Sequence, residues 1–446
     1  MRRIWMYSMV LGLYLALTNA TSGQDDFETT PIDLELAMQY FKEARAISDR
    51  DGGAMWGLEL MGPLLFVDRA TRFVVTNQPD KQNQLTKQGD LHVGTLPDTK
   101  GIANTSMTWS GVQWTMLMWP LPEDPDQRNQ LLAHEMFHRI QDDLNLELGM
   151  PDNRHLDEHD GRLWLRLEWR ALKMALESDG KARHMAMTDA LLFRGARHAL
   201  YPNQIADELN LELNEGLAQY TGISLGLDSI ETQCNAAIQG LASHDRHRNF
   251  IRSFAYASGP AYGLLIDKAG LSEWRSKLTV HSDLGKILAE AYAIDLPSPS
   301  EAMARERWSP YEGSLVLLEE DERHQEALKL QATFKARFED NPTLILPLNS
   351  FPNYTFNPNR IKAFGDVGSV YLSTRVVSDW GILDVTSGGA LFVQQDGVFL
   401  RIVVPTPFPD SKGHSVEGDG YTLKLNEGWT IKSRGDTQDL IAQKEK

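Results

Sequence analysis

The chain has 446 residues, 42% of them hydrophobic and 24% charged, as expected of a globular protein with core enough for two or three domains. A formal net charge of −17 argues against nucleic acid or an anionic membrane surface as partner. Cys234 is the only cysteine, so no intrachain disulfide can form, and stability must come from the core, with or without a bound metal.

The opening stretch MRRIWMYSMVLGLYLALTNATSGQ joins a basic start (Arg2, Arg3) to a short apolar run and small residues near Ala20. That is the pattern of a cleavable secretory signal over residues 1–20, with an uncleaved anchor as the alternative. Its removal takes away two arginines and no acid, moving the charge from −17 to −19. No second apolar run of spanning length follows, so the expectation is a secreted or periplasmic protein without stable membrane insertion.

Residues 21–123 read as an N-terminal α/β subdomain. DLELAMQYFKEARAIS (33–48) is an amphipathic helix closed by the turn DRDGG, whose Asp49 and Asp51 lack the ligand spacing of a calcium loop. PLLFVD (63–68) and TRFVVTN (71–77) form a hairpin, and LHVGTL (91–96) and VQWTMLMWP (112–120) continue what should be a small antiparallel sheet.

From 124 to 341 the period turns helical. The first helix carries Asp124 as N-cap, Pro125 in its first turn and Gln127 in capping-box position. Further helices are expected near 158–178, 183–199, 204–224, 246–268, 283–294 and 314–338. Residues 342–446 are strand-like and punctuated by Gly, Pro and Asn, a C-terminal all-β module of sandwich type. Packing or adhesion is its default role and carbohydrate binding a further possibility. The fold class is therefore α+β.

The chemistry lies in LLAHEMFHRIQ (131–141), where His134, Glu135 and His138 are spaced as H-E-x-x-H. Histidines four apart on a helix share a face and can reach one metal ion, while the adjacent glutamate is placed as a general base. Two ligands do not complete a zinc site. A metzincin extension would need glycine at position 141 and histidine at 144, where Gln141 and Leu144 stand. The third ligand should then be a glutamate, and Glu158, Glu168 and Glu215 are the candidates. Glu158 has thermolysin-like spacing but sits among acids at a helix start. Glu168 shares a face with Trp164 and Leu172, where a structural ion pair is equally natural. Glu215 lies in a helical stretch with Leu211 and Ala218. His155 and His159 are read as a surface cluster, and His244 and His247 as a solvated turn.

The segment Asn214-Glu215-Gly216-Leu217-Ala218-Gln219-Tyr220 resembles the N-E-G-[FL]-A-x-Y motif of gluzincin metallopeptidases of the alanyl-aminopeptidase type. Tyr256-Ala257-Ser258-Gly259 is similar to that family's Y-x-x-G segment, and the motifs come in the family's order. The resemblance, carried by short motifs within roughly residues 105–270, implies a zincin-like catalytic domain of small sheet plus helical bundle. It further implies one Zn²⁺ held by His134, His138 and Glu215, Glu135 as catalytic base, and Tyr256 as oxyanion donor, a core tyrosine being the alternative for Tyr256. Residues 139–214, 76 in all, separate His138 from Glu215, far more than the family usually keeps, so two helices are expected as an insertion. The family's amine-gripping G-x-M-E-N segment is missing from the sequence. The matching region WSGVQWTMLMWP (109–120) is a candidate edge strand for aligning a peptide. A secreted zinc metallopeptidase with a peptide or protein substrate is the leading expectation. A catalytically weak binding protein on the same scaffold, or a zinc amidase acting on cell-wall peptides, is the alternative.

Overall fold

The computed structural model describes residues 32–445, apart from 147–148, 150, 248, 272, 296–300, 350–351, 357–359, 366, 396–397 and 410–414. The expected secretory signal lies outside the described residues. Among those described, no helix is long and apolar enough to cross a membrane.

The first helix, α1 (Leu34–Asp51), starts where the Asp33 carboxylate accepts the amides of Glu35 and Leu36 and stops at Gly52, whose φ of 56° only glycine adopts at little cost. It buries Ala37, Tyr40, Phe41, Ala44 and Ile47, one stripe at helical spacing. Strands β1 (Leu64–Asp68), β2 (Phe73–Thr76), β3 (Thr86–Gln88), β4 (Leu91–Thr95), β5 (Thr105–Trp109) and β6 (Val112–Trp119) form a sheet in the order β3-β4-β2-β1-β6-β5. The sheet is mixed rather than antiparallel throughout. Two antiparallel hairpins, β1–β2 and β5–β6, meet through the parallel pair β1–β6, with Leu64 opposite Thr115 and Asp68 opposite Trp119. Both faces of β1 are covered: Leu64 and Phe66 join the main core, and Leu65 and Val67 pack with Trp109 and Trp114 on the other side.

Residues 109–120 are not an edge strand. Ser110 and Gly111, at φ 50° and 77°, make the two-residue turn of a hairpin. That turn folds β6 inside the sheet and leaves β5 on the edge.

The helical region runs α2 (Pro125–Ile140), α3 (His159–Glu177), α4 (Gly180–Leu200), α5 (Ile205–Leu211), α6 (Leu217–Gly226), α7 (Ile230–His244), α8 (Phe254–Lys268), α9 (Leu284–Ala291), α10 (Glu301–Arg307) and α11 (Gly313–Lys335). The long helices α3 and α4, packed along each other, fill most of the stretch between His138 and Glu215. Three differences stand out. The stretch expected as one helix over 204–224 is interrupted by a π turn, Glu212–Gly216. The helix expected over 246–268 begins only at Phe254, after a turn over 251–253, and Phe250 before that turn is buried with its ring edge-on to Trp169. Helix α7 had no expectation at all, since its buried stripe is Cys234, Ala237, Leu241 and His244 rather than large apolar residues.

The chain divides after Glu320 into two compact units. In the second, a seven-stranded and a five-stranded sheet share one apolar cluster that includes Leu344, Phe392 and Ile402 from the first and Val376, Leu383 and Leu423 from the second. Such a cluster is what two sheets packed face to face produce.

Candidate metal centre

Helix α2 begins as its sequence dictates, with the Asp124 carboxylate accepting the amide of Gln127 and Pro125 in the first turn. Its apolar side, Leu132, Ala133, Met136, Phe137 and Ile140, is buried. This fixes the rotation of the helix and turns His134 toward α6 and His138 toward the π turn that precedes it. Helix α6 lies close because two glycines face α2. A Cβ on Gly222 would come within 2.7 Å of the Gln130 carbonyl oxygen, and one on Gly226 within 2.6 Å of the Gln130 nitrogen. The π turn just before α6 then carries Glu215 to the two histidines.

Ligand-type atoms of His134, His138 and Glu215 all lie within 4.8 Å of one another. The Glu215 Oε2 is 3.6 Å from His134 Nε2 and 3.4 Å from His138 Nε2, and the two Nε2 atoms are 3.1 Å apart. Two imidazole lone pairs do not sit that close unless a proton or a cation lies between them. Each ring is aimed from behind by an amide: His134 Nδ1 meets Gln219 Oε1 at 3.1 Å and His138 Nδ1 meets Gln141 Oε1 at 2.6 Å. An amide oxygen only accepts, so Nδ1 carries the hydrogen in both rings and Nε2 is the atom offered to the cluster. Gln141 in turn donates to Asn214 Oδ1 at 3.2 Å, tying the end of α2 to the turn that bears Glu215.

Tyr256, near the start of α8, completes the group. Its hydroxyl donates to Glu215 Oε2 at 2.6 Å, and its ring stacks on His134 with centroids 5.7 Å apart and planes 7° from parallel. Glu135 is buried, and its Oε2 has no hydrogen-bond partner. Burial raises the Glu135 carboxyl above its usual range, His134 and His138 oppose that, and Glu215 adds to it. For Glu215 the balance is reversed: burial would raise it, but His134 and His138 hold it well below the carboxylate range. Burial alone would discharge His138, yet the Glu215 carboxylate more than offsets this and pushes it up to about 9. Two imidazole nitrogens and one carboxylate oxygen converging beside an unpartnered buried carboxylate fit a three-ligand metal site with an open position.

The other two candidates for third ligand stand elsewhere. Glu168 is wholly buried, paired with Arg197 at 2.5 Å and Arg194 at 3.3 Å, and accepts the Tyr262 hydroxyl at 2.7 Å. Glu158 is exposed at the N-cap position of α3, beside the Tyr201 hydroxyl. Among the described residues, His134, His138 and Glu215 are the one group of three or more such side chains close enough to share an ion.

Two histidine expectations are corrected. His155 is buried, not part of a surface cluster, with Nε2 2.6 Å from Glu208 Oε1, while His159 pairs locally with Asp160. His244 is not in a solvated turn; it ends α7 inside the core with Nδ1 on the Gly240 carbonyl at 2.8 Å. Gln141, Gln219 and Asn214 are site residues to which the sequence assigned no role. Their one signal is position, three after His138, four after Glu215 and one before it, and polar residues at such spacing are common on exposed helix faces. The chain matches no protein-family model, no curated protein and no solved structure.

Proposed function

We propose that this protein is a secreted or periplasmic zinc-dependent peptidase of gluzincin type. The observation that carries the reading is the convergence of His134 and His138 of α2 with Glu215 of the π turn, far apart in sequence, beside the buried Glu135, whose Oε2 has no partner. His134 and His138 would hold the ion through Nε2 and Glu215 through its carboxylate. Zinc bound there supplies a Lewis acid and brings the pKa of water toward neutrality. Glu135 takes the proton of the attacking water at its free carboxylate oxygen and returns it to the leaving amine. Burial keeps that carboxyl more basic than an exposed one, which suits a group that must accept and then give up a proton. The Tyr256 hydroxyl, which donates to Glu215 here, is the donor that turns to the developing oxyanion.

Purified protein is expected to carry one equivalent of zinc and to cleave casein or a fluorogenic peptide, with activity lost to a chelator. Glu135→Gln keeps the shape and removes the base, so cleavage should drop about 10²–10⁴-fold while zinc is retained. Unchanged cleavage by that variant, or no stoichiometric zinc in the unaltered protein, sinks the proposal.

A further inference from the structure

Glu215 does not stand on a regular helix. It shares the π turn Glu212–Gly216 with a second buried carboxylate, Glu212. On an α-helix residues three apart lie on one face, whereas the widened π turn lets Glu212 and Glu215 serve different partners. Glu215 meets His134 and His138; Glu212 meets Arg194 of α4 in a bidentate pair, Nη1 to Oε1 at 3.1 Å and Nη2 to Oε2 at 2.8 Å. One helical turn earlier, Glu208 of α5 holds Arg197, also of α4, at 2.8 Å. Arg194 and Arg197 are both braced by Glu168 of α3, and Arg194 also reaches Asp283, the N-cap of α9, at 3.3 Å.

Carboxylates four apart on one segment thus grip arginines three apart on another, all at most 3% exposed. Two such pairs fix both the height and the rotation of the segment that ends in Glu215. A buried ion pair is a poor device for stability, because an apolar pair of the same volume often does as well or better. Its geometric strictness is what it adds, and a turn that must aim a ligand needs that.

We propose that the Arg194–Glu212 pair is a positioning device for Glu215, setting the affinity and geometry of the metal centre without touching the ion. The proposal rests on the reading that His134, His138 and Glu215 hold zinc. The probes are zinc, by competition with a chromophoric chelator, and cobalt(II), whose visible absorption reports the ligand geometry. Glu212→Ala should weaken both metals about 10–100-fold and shift the cobalt spectrum. Glu212→Gln, which keeps volume and one acceptor for Arg194, should recover part of the loss. The paired change Arg194→Met with Glu212→Leu removes both charges; it should fold and still show weakened metal and a shifted spectrum. Arg166→Met, in the separate buried network with Asp245 and Glu320, serves as a control that lowers stability and leaves the spectrum unmoved. A folded Glu212→Ala with affinity within about twofold of the unaltered protein and an unshifted spectrum overturns the inference. If Glu212→Ala does not fold, the paired change decides it on the same criteria. Absence of metal from the unaltered protein overturns the zinc reading and this inference together, whereas a metal-binding parent with indifferent variants overturns this one alone.

Discussion

Gly216 and Gly259 meet backbone to backbone where the π turn crosses α8. A Cβ on Gly259 would lie 2.3 Å from the Gly216 Cα and 2.4 Å from its carbonyl oxygen, closer than any side chain tolerates. These are the glycines of the two short motifs, one residue after Glu215 and three after Tyr256. Their contact is what lets the Tyr256 hydroxyl reach the Glu215 carboxylate at 2.6 Å. From the other side α3 holds α8 in place, with Trp169 Nε1 donating to Ser258 Oγ at 2.9 Å.

Gly259→Ala is therefore expected to push α8 off the turn. Overpacking costs about 1–3 kcal/mol where side chains can shift, and here the obstacle is backbone, so the loss should lie at or above that range. Thermal unfolding and zinc content measure it, and both should fall. Gly240→Ala on α7 is the control: a Cβ there meets nothing within 4 Å, so it should gain up to about 1 kcal/mol of helix propensity. A Gly259→Ala protein as stable as its parent, still binding zinc, removes this account of the motif glycines.

What could be read from the chain alone follows from how local each feature is. His134, Glu135 and His138 were legible because helical geometry alone brings residues four apart to one face. Glu215 stood as one of three candidate glutamates and was singled out only by a motif resemblance, because no periodicity links it to α2 across α3 and α4. The π turn is invisible to pattern reading: ELNEG has the same apolar spacing in either kind of turn. Ser110-Gly111 is a turn signal inside an otherwise strand-like stretch, and it alone separates the inner β6 from the edge β5. His155 and His244 looked solvated because their neighbours in sequence are polar, whereas their neighbours in space are Glu208 and Trp169.

Charge-neutral substitutions at the glutamates separate ligand from scaffold. Glu215→Gln should lose stoichiometric zinc after dialysis. Glu168→Gln should keep one equivalent but destabilise the fold by about 1–3 kcal/mol, because Arg194 and Arg197 lose one buried carboxylate while keeping Glu212, Asp283 and Glu208. Glu158→Gln, at an exposed position, should change stability by no more than about 0.5 kcal/mol. Metal analysis and urea unfolding on the three proteins give the answer. A well-folded Glu168→Gln or Glu158→Gln without zinc would reassign the third ligand.

Tyr256→Phe keeps the ring that stacks on His134 and removes only the hydroxyl. If that hydroxyl serves the oxyanion, kcat should drop about 10²–10³-fold, the usual cost of one lost donor, with KM little changed and zinc retained. A merely structural tyrosine would instead show itself as lower stability with kcat within about twofold of the parent.

His244 makes stability depend on acid. Burial is the main cause that lowers it, the Gly240 carbonyl opposes and His247 adds, leaving it at about 4 against an ordinary 6.5. Its Nε2 is buried without a partner, so the ring has no acceptor waiting for a second proton. Between pH 6.5 and 4 the unfolded chain binds a proton at this position that the folded chain does not. Stability from this residue is therefore full above about pH 6.5, is lost as pH falls toward 4, and levels off once the folded protein is protonated too. The span corresponds to roughly 3 kcal/mol. His244→Phe fills similar space against Trp169 and cannot titrate, so it should lose less stability than the parent between about pH 7 and about pH 4.5 in urea unfolding. Parallel losses in the two proteins over that range would show that His244 titrates as an exposed histidine and that the buried ring is not the acid-sensitive group.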